Sequence, residues 1–157
     1  MGRDPDRRRS RITVTSRLHH AGISTTDLDR LVTFYCELLG FEEVSRSTWG
    51  PGFEDADAVL GLVDTAAEMV LLRLGGTYLE VFEFRHPAPG PAPVDRPVSN
   101  SGINHICLSV DDLAFEYERL TIAGMQFHST PRDIGDGPFA YGRDPDGNVV
   151  ELWEANR

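Results

Sequence analysis

The feature that most constrains this chain is an internal repeat. Residues 18–23 read LHHAGI and are followed by Asp27-Leu28, while residues 103–108 read INHICL and are followed by Asp112-Leu113. In both, a histidine inside an apolar run (His20, His105) precedes an Asp-Leu pair by seven residues. Each run reads as a strand, and each aspartate stands where it can cap a helix and meet the positive end of its dipole. The helices continue through Leu31, Phe34, Tyr35, Leu38 and Leu39, and through Leu113, Tyr117 and Leu120. Gly40 and Gly124 are placed to stop them. A strand follows each time, near residues 41–44 and 125–128.

Each half then closes on a hairpin. Residues 69–74 and 77–84 flank Gly75-Gly76, a pair suited to the positive φ of a tight turn. Residues 139–143 and 148–153 flank Asp144-Pro145-Asp146-Gly147, a strong turn signature. The closing strands match as well, LEVFE at 79–83 and VELWE at 150–154. The expectation is an α+β fold of two βαβββ modules, residues 17–85 and 101–157. They are joined by a semi-rigid linker, 86–100, that holds five of the ten prolines. Residues 1–16 read as a flexible basic tail.

Charge narrows the function. All 15 basic residues are arginine, which removes Schiff-base, phosphate-loop and general-base lysines. Beyond residue 17 the chain carries 23 acids against nine arginines, a balance of −14, so a polyanion such as nucleic acid is a poor partner. No apolar run approaches the ~20 residues of a membrane span, and the charged N-terminus lacks the apolar segment of a secretory signal. A cytoplasmic protein without a membrane partner is expected. Cys36 and Cys107 are too few for a disulfide scaffold and are expected on buried apolar faces.

The repeat also repeats chemistry. In each half the first strand carries a histidine and the last a glutamate. If first and last strands are central and the modules pair, His20, Glu80, His105 and Glu151 converge. Such an N2O2 set suits a borderline divalent ion such as Zn, Ni, Co, Mn or Fe(II). An octahedral ion then keeps two positions for a substrate's paired oxygens and can stabilise an enolate as a Lewis acid. Two carboxylates on an otherwise apolar wall are costly unless neutralised, which a metal achieves. His19 points away from His20 and is expected to be structural, and His86 to be solvated. Phe82, Trp153, Phe139, Tyr141 and Trp49 are candidates to line the cup.

The strings LHHAGISTTDLDRLVTFYCELLGF, GINHICLSVDD and YGRDPDGNVVELWE resemble the vicinal oxygen chelate superfamily of glyoxalases, acyl-CoA epimerases, extradiol dioxygenases and bleomycin-resistance proteins. The resemblance spans about residues 17–155. It implies paired βαβββ modules in a cupped, barrel-like mixed sheet around a divalent metal, with ligands at His20, Glu80, His105 and Glu151. It also implies a homodimer. The chain most resembles the methylmalonyl-CoA epimerase branch, in which acidic residues flank the substrate and move one α-proton. That branch's extra acid falls on Asp64, with Glu151 doubling as ligand and proton acceptor.

The expected activity is therefore a metal-dependent epimerase or isomerase working α to a carbonyl on a small oxygenated metabolite, a keto-sugar or ketocyclitol or an acyl-CoA such as methylmalonyl-CoA. Charge favours the first class, although Arg46, Arg73, Arg85, Arg96, Arg132 and Arg143 are candidates for a local basic patch. Competing readings are a glyoxalase-type lyase acting on a thiol hemithioacetal, then an extradiol dioxygenase, then a non-catalytic binding protein.

Overall fold

The computed structural model describes residues 17–90 and 95–155. The expected basic tail and the middle of the linker lie outside these residues. The first module runs β1 (His20–Thr25), α1 (Leu28–Thr33), β2 (Glu42–Trp49), α2 (Glu54–Leu60), β3 (Ala66–Leu74) and β4 (Thr77–His86). The second runs β5 (Ile106–Ser109), α3 (Leu113–Ile122), β6 (Gln126–Phe127), β7 (Arg132–Asp133), β8 (Pro138–Arg143) and β9 (Val149–Trp153). The α+β class and the repeated order hold, with α2 and β7 added to the pattern. Among the described residues no helix is long and apolar enough to cross a membrane.

The helix starts form as their sequence dictates. Asp27 accepts the Arg30 N–H at 3.1 Å, and Asp112 accepts the Phe115 N–H at 2.9 Å. A second acceptor comes from the far end of each repeat. Glu83 accepts the Leu28 N–H at 2.9 Å and Glu154 accepts the Leu113 N–H at 2.8 Å. A strand alternates its faces, so Glu83 and Glu154 turn toward the helices while Glu80 and Glu151 turn to the opposite face. α1 does not end as a plain α-helix. It widens into a π-helical turn over Phe34–Leu38, and the Phe41 N–H returns to the Tyr35 carbonyl past Gly40 at φ 74°.

Two separate sheets result, β1-β4-β3-β2 and β5-β9-β8-β6, with β7 added beside β8. β1 is parallel to β4 and β5 parallel to β9. Both sheets are mixed, as the expected fold class has it. Among the described residues β1 and β5 are each outermost in their own sheet and no strand pairing joins the two sheets, so these strands form no closed barrel. A cleft of about 350 Å³ between them is lined by Ala21, Ile23, Tyr35, Ile103 and Val149 among others.

One core spans both modules. Leu28, Leu31 and Tyr35 of the first helical segment pack with Val70, Leu72, Leu79 and Val81, and the same cluster takes in Leu113, Leu120, Met125, Val150 and Leu152. Polar bonds lock the modules across this core. The buried Tyr35 hydroxyl donates to Asp144 Oδ2 at 3.0 Å, Arg30 pairs with the buried Asp146, and Arg119 donates to the Leu38 carbonyl at 2.6 Å. The Asp144-Pro145-Asp146-Gly147 turn is thus more than a hairpin connector. It is where the second module grips the first.

Candidate metal centre

Each sheet buries one face under its helix. Leu79 and Val81 of β4, and Val150 and Leu152 of β9, fill those faces. The alternate residues, Glu80 and Glu151, stand on the open faces. Gly22 of β1 lies opposite Glu80 and Cys107 of β5 lies opposite Glu151, so each glutamate faces the residue two places after its module's histidine. The parallel register therefore recreates the same juxtaposition twice.

His20 Nε2 lies 3.3 Å from Glu80 Oε2, and His105 Nε2 lies 2.9 Å from Glu151 Oε2. Two donors bound at right angles to one ion with ordinary bond lengths are about 3 Å apart, so each pair has the spacing of neighbouring ligands. The second pair carries a further constraint. His105 Nδ1 is 2.7 Å from Asn104 Oδ1, an oxygen that only accepts, so Nδ1 carries a hydrogen. With Nδ1 so occupied, Nε2 is the ring atom left to face the carboxylate, either as an N–H donor to it or as a lone pair able to ligate a cation. The donor chemistry fits a divalent metal.

The four residues meet two by two. Among the described residues, no group of three or more His, Cys, Asp or Glu side chains is placed to hold one ion. The reason is topological, since β1 and β5 border different sheets and each histidine reaches only its own glutamate.

Asp64 is placed elsewhere. It is a turn residue with φ 52°, its N–H donates to Asp57 at 2.8 Å, and its carbonyl contacts His86 Nδ1 at 2.8 Å. His86 ends β4, six residues or roughly 20 Å of extended strand beyond Glu80. The structure brings Asp64 to neither His–Glu pair. Asp57 holds this corner. It also accepts the Thr65 N–H and hydroxyl, and these bonds keep its carboxyl below the usual value. His86 is exposed, as expected, and also hydrogen-bonded to the turn.

The open faces are aromatic. Trp49 meets Phe82 edge-on with ring centres 6.4 Å apart, and Phe82 stacks on Phe84 at 5.8 Å. On the second sheet Tyr141 stands 5.0 Å from the His105 ring and 5.9 Å from Phe139. A depression of about 420 Å³ there is lined by Cys107, Phe139, Tyr141, Glu151 and Trp153 with the loop near Ile134. That volume lies within the several hundred Å³ typical of small-molecule pockets. Burial pushes the Tyr141 phenol up, and the Glu151 charge adds to it, so the hydroxyl stays protonated.

Cys107 departs from its expected buried position. It is exposed on this face, and desolvation followed by Glu151 pushes its thiol up to about 11, which keeps it a poor nucleophile. Cys36 is half-buried. His128, which the repeat leaves unmatched, also reaches this face. Its backbone N–H bonds the Tyr141 carbonyl at 2.8 Å and its ring lies 6.3 Å from Tyr141. Burial lowers its pKa, with Arg143 adding to the effect. It continues the β6–β8 register, Gln126 opposite Arg143 and Phe127 opposite Gly142, by one residue.

Comparison with known proteins gives the family. The chain is 32% identical over 132 residues to a 2-epi-5-epi-valiolone epimerase from Actinomyces sp, covering 78% of this chain and 68% of that protein. It is 27% identical over 141 residues to a lactoylglutathione lyase from Salmonella typhimurium, covering 88% and 93%. The crystal structure of a glyoxalase family protein from Bacillus cereus superposes with a TM-score of 0.83 at 21% identity, covering 94% of this chain and 99% of that one, which shows the shared fold. A sequence profile matches residues 17–152, almost the whole span over which the two modules and their His–Glu pairs are laid out. By that match the chain belongs to the Glyoxalase/Bleomycin resistance protein/Dioxygenase superfamily.

Proposed function

We propose that this protein is a divalent-metal-dependent epimerase or isomerase that moves a proton α to a carbonyl on a small oxygenated metabolite. The observation that carries the reading is the twice-repeated His–Glu pair at ligand spacing on an open sheet face. His20, Glu80, His105 and Glu151 would hold the ion, whose contribution when bound is Lewis-acid polarisation of the substrate carbonyl. Glu151, a carboxylate on the wall of the depression, would take the α-proton, and epimerisation then returns a proton to the opposite face of the enolate, where Glu80 of the other His–Glu pair would stand once two pairs meet. The protonated Tyr141 hydroxyl supplies a donor to a substrate oxygen lying against the same wall. Asp64 serves the turn, so we assign the acid–base work to Glu151 and Glu80 on opposite sides of the substrate.

Because one chain presents the two pairs on different sheets, we propose a homodimer. The first pair of each copy meets the second pair of the other, completing two sites under twofold symmetry. The same arrangement would cover the outer edges of β1 and β5, which a single chain leaves unpaired.

Substrate charge follows from how the arginines are used. Arg46 bonds Glu43, Glu68 and Asp29, while Arg73 pairs with Glu42 and Arg85 with Glu68. Arg96 and Arg143 donate to backbone carbonyls. Most of the candidate basic patch is thus engaged, which favours a keto-sugar or ketocyclitol over a multiply charged acyl-CoA. The second reading is a lyase acting on a thiol hemithioacetal, favoured by the His-Glu-His-Glu set and by the lyase relative.

The test is incubation of metal-loaded protein in D2O with a ketocyclitol, methylmalonyl-CoA and the methylglyoxal–glutathione adduct. Deuterium at the α-carbon of the ketocyclitol is the expected result. Exchange confined to the glutathione adduct would establish the lyase instead. Exchange in none, or oxygen uptake with catechols, would overturn the proposal.

A further inference from the structure

Both candidate histidines are held the same way from behind. His105 Nδ1 is 2.7 Å from the side-chain oxygen of Asn104, and His20 Nδ1 is 2.9 Å from Nδ1 of His19. In each case the partner is the residue immediately before the histidine. Within an extended strand that neighbour points to the opposite face and cannot reach. Here it can, because His20 is the first residue of β1 and His105 lies just ahead of β5.

The partners are themselves fixed. Asn104 donates its amide nitrogen to the Val98 carbonyl at 3.2 Å, which turns its oxygen toward His105. His19 stacks on Tyr78 with ring centres 4.7 Å apart and planes 17° from parallel. The Tyr78 N–H also bonds the His19 carbonyl at 3.1 Å. A ring whose Nδ1 keeps its hydrogen presents Nε2 as the lone-pair donor, and Nε2 is the atom that faces the glutamate in both halves.

We infer that Asn104 is a positioning residue that selects the Nε2-donor tautomer of His105, that His19 is one that orients the His20 ring, and that the two so set metal affinity. This rests on the proposed metal reading. Partners behind a ligating histidine characteristically change metal affinity about 10–100-fold when removed. Asn104 is the more demanding of the two, since an amide oxygen admits a single proton arrangement. Between His19 and His20 the hydrogen has two possible owners.

The experiment uses the full chain and Zn2+ alone, with affinity measured by chelator competition and the His105 tautomer read from ring 15N shifts in the metal-free protein. Asn104→Leu is expected to weaken Zn2+ binding about 10–100-fold and to mix the two His105 tautomers. Asn104→Asp keeps the accepting oxygen but loses the donor to Val98, and it is expected to hold both affinity and tautomer. His19→Phe, which preserves stacking on Tyr78, is expected to lose affinity, and His19→Asn to restore it.

Unchanged affinity in Asn104→Leu, alongside loss in His105→Ala, overturns the inference and leaves the metal reading standing. Equal loss in Asn104→Leu and Asn104→Asp overturns it in favour of a tether to Val98. Unchanged affinity in His105→Ala removes the metal reading itself. Should Asn104→Leu fail to fold, Asn104→Asp with its 15N shifts still decides between acceptor and tether.

Discussion

The two modules carry the same pair of residues in differently built surroundings. The first rests on long strands of eight, nine and ten residues, β2 to β4, that form a continuous four-stranded wall. The second has β6 and β7 of two residues each, and the loop after β7 lines the open face through Ile134, Asp136 and Gly137. Trp153 ties that wall down by donating to the Asp136 carbonyl at 3.1 Å. Its His–Glu contact is closer, 2.9 Å against 3.3 Å, and its glutamate is 15% exposed against 25%. The comparison teaches that duplicated motifs need not be equivalent. The second half is the organised, sheltered half-site, and the first is the more open platform.

Removing a ligand from the sheltered half should have the largest effect. Glu151→Gln is expected to lower α-proton exchange by about 10²–10⁴-fold, the usual worth of a placed acid–base group. Glu80→Gln should lose far less exchange, because an amide oxygen can still ligate and deuterium wash-in needs only the base that removes the proton. Exchange rates and Zn2+ content of the two variants give the comparison directly. Equal losses in both would abolish the asymmetry.

Stability should show the same contrast. Tyr35→Phe removes a donor from the buried Asp144 and is expected to destabilise the protein by about 1–3 kcal/mol in urea unfolding. A variant as stable as the parent would show that the junction does not depend on that bond. Gly142→Ala would set a methyl group 2.5 Å from Met125 Cε and 3.0 Å from Phe127 Cδ1. Part of that clash is relieved by moving the Met125 terminus, so a cost toward the low end of about 1–3 kcal/mol is expected. Gly22→Ala on the first sheet meets only Phe82 at 3.9 Å and should be near neutral by the same measurement.

The smallest effect is a pH dependence at the junction. Burial raises the Asp144 carboxyl above its ordinary 3.8, outweighing the bonds from Asn148, Tyr35 and the Asp146 N–H that pull it down. A carboxyl raised by folding binds its proton more tightly in the native state. Its contribution is therefore fully present below pH 3.8 and is lost as pH rises through the folded value. The stability of the parent relative to Asp144→Asn should decline on raising pH across that window. A rise instead would mean that the hydrogen bonds dominate.

Much of this was legible in the chain because it is local. A cap is a side chain meeting an N–H three residues on, as at Asp27 and Asp112. The alternation of a strand decided that Glu80 and Glu83, or Glu151 and Glu154, face opposite ways. The spacing of His20 and His105 before their helices exposed the duplication. Strand alternation argues against a contact with the preceding residue, which is why His19 reads as pointing away from His20 and Asn104 carries no signal; only the strand starts shown by the structure permit both contacts. His128 escaped notice because the repeat offers it no counterpart.

The sequence by itself thus determined two βαβββ units, their capped helices and one His–Glu pair in each, since period and capping act over a few residues. Only the tertiary structure decided that the units form separate sheets, that Asp64 lies at the far end of β4, and that the pairs stay apart within one chain. Those outcomes hang on bonds between residues far apart in the chain, such as Tyr35 to Asp144, which are 109 positions apart. Such contacts depend on how whole elements pack, and no local pattern encodes that.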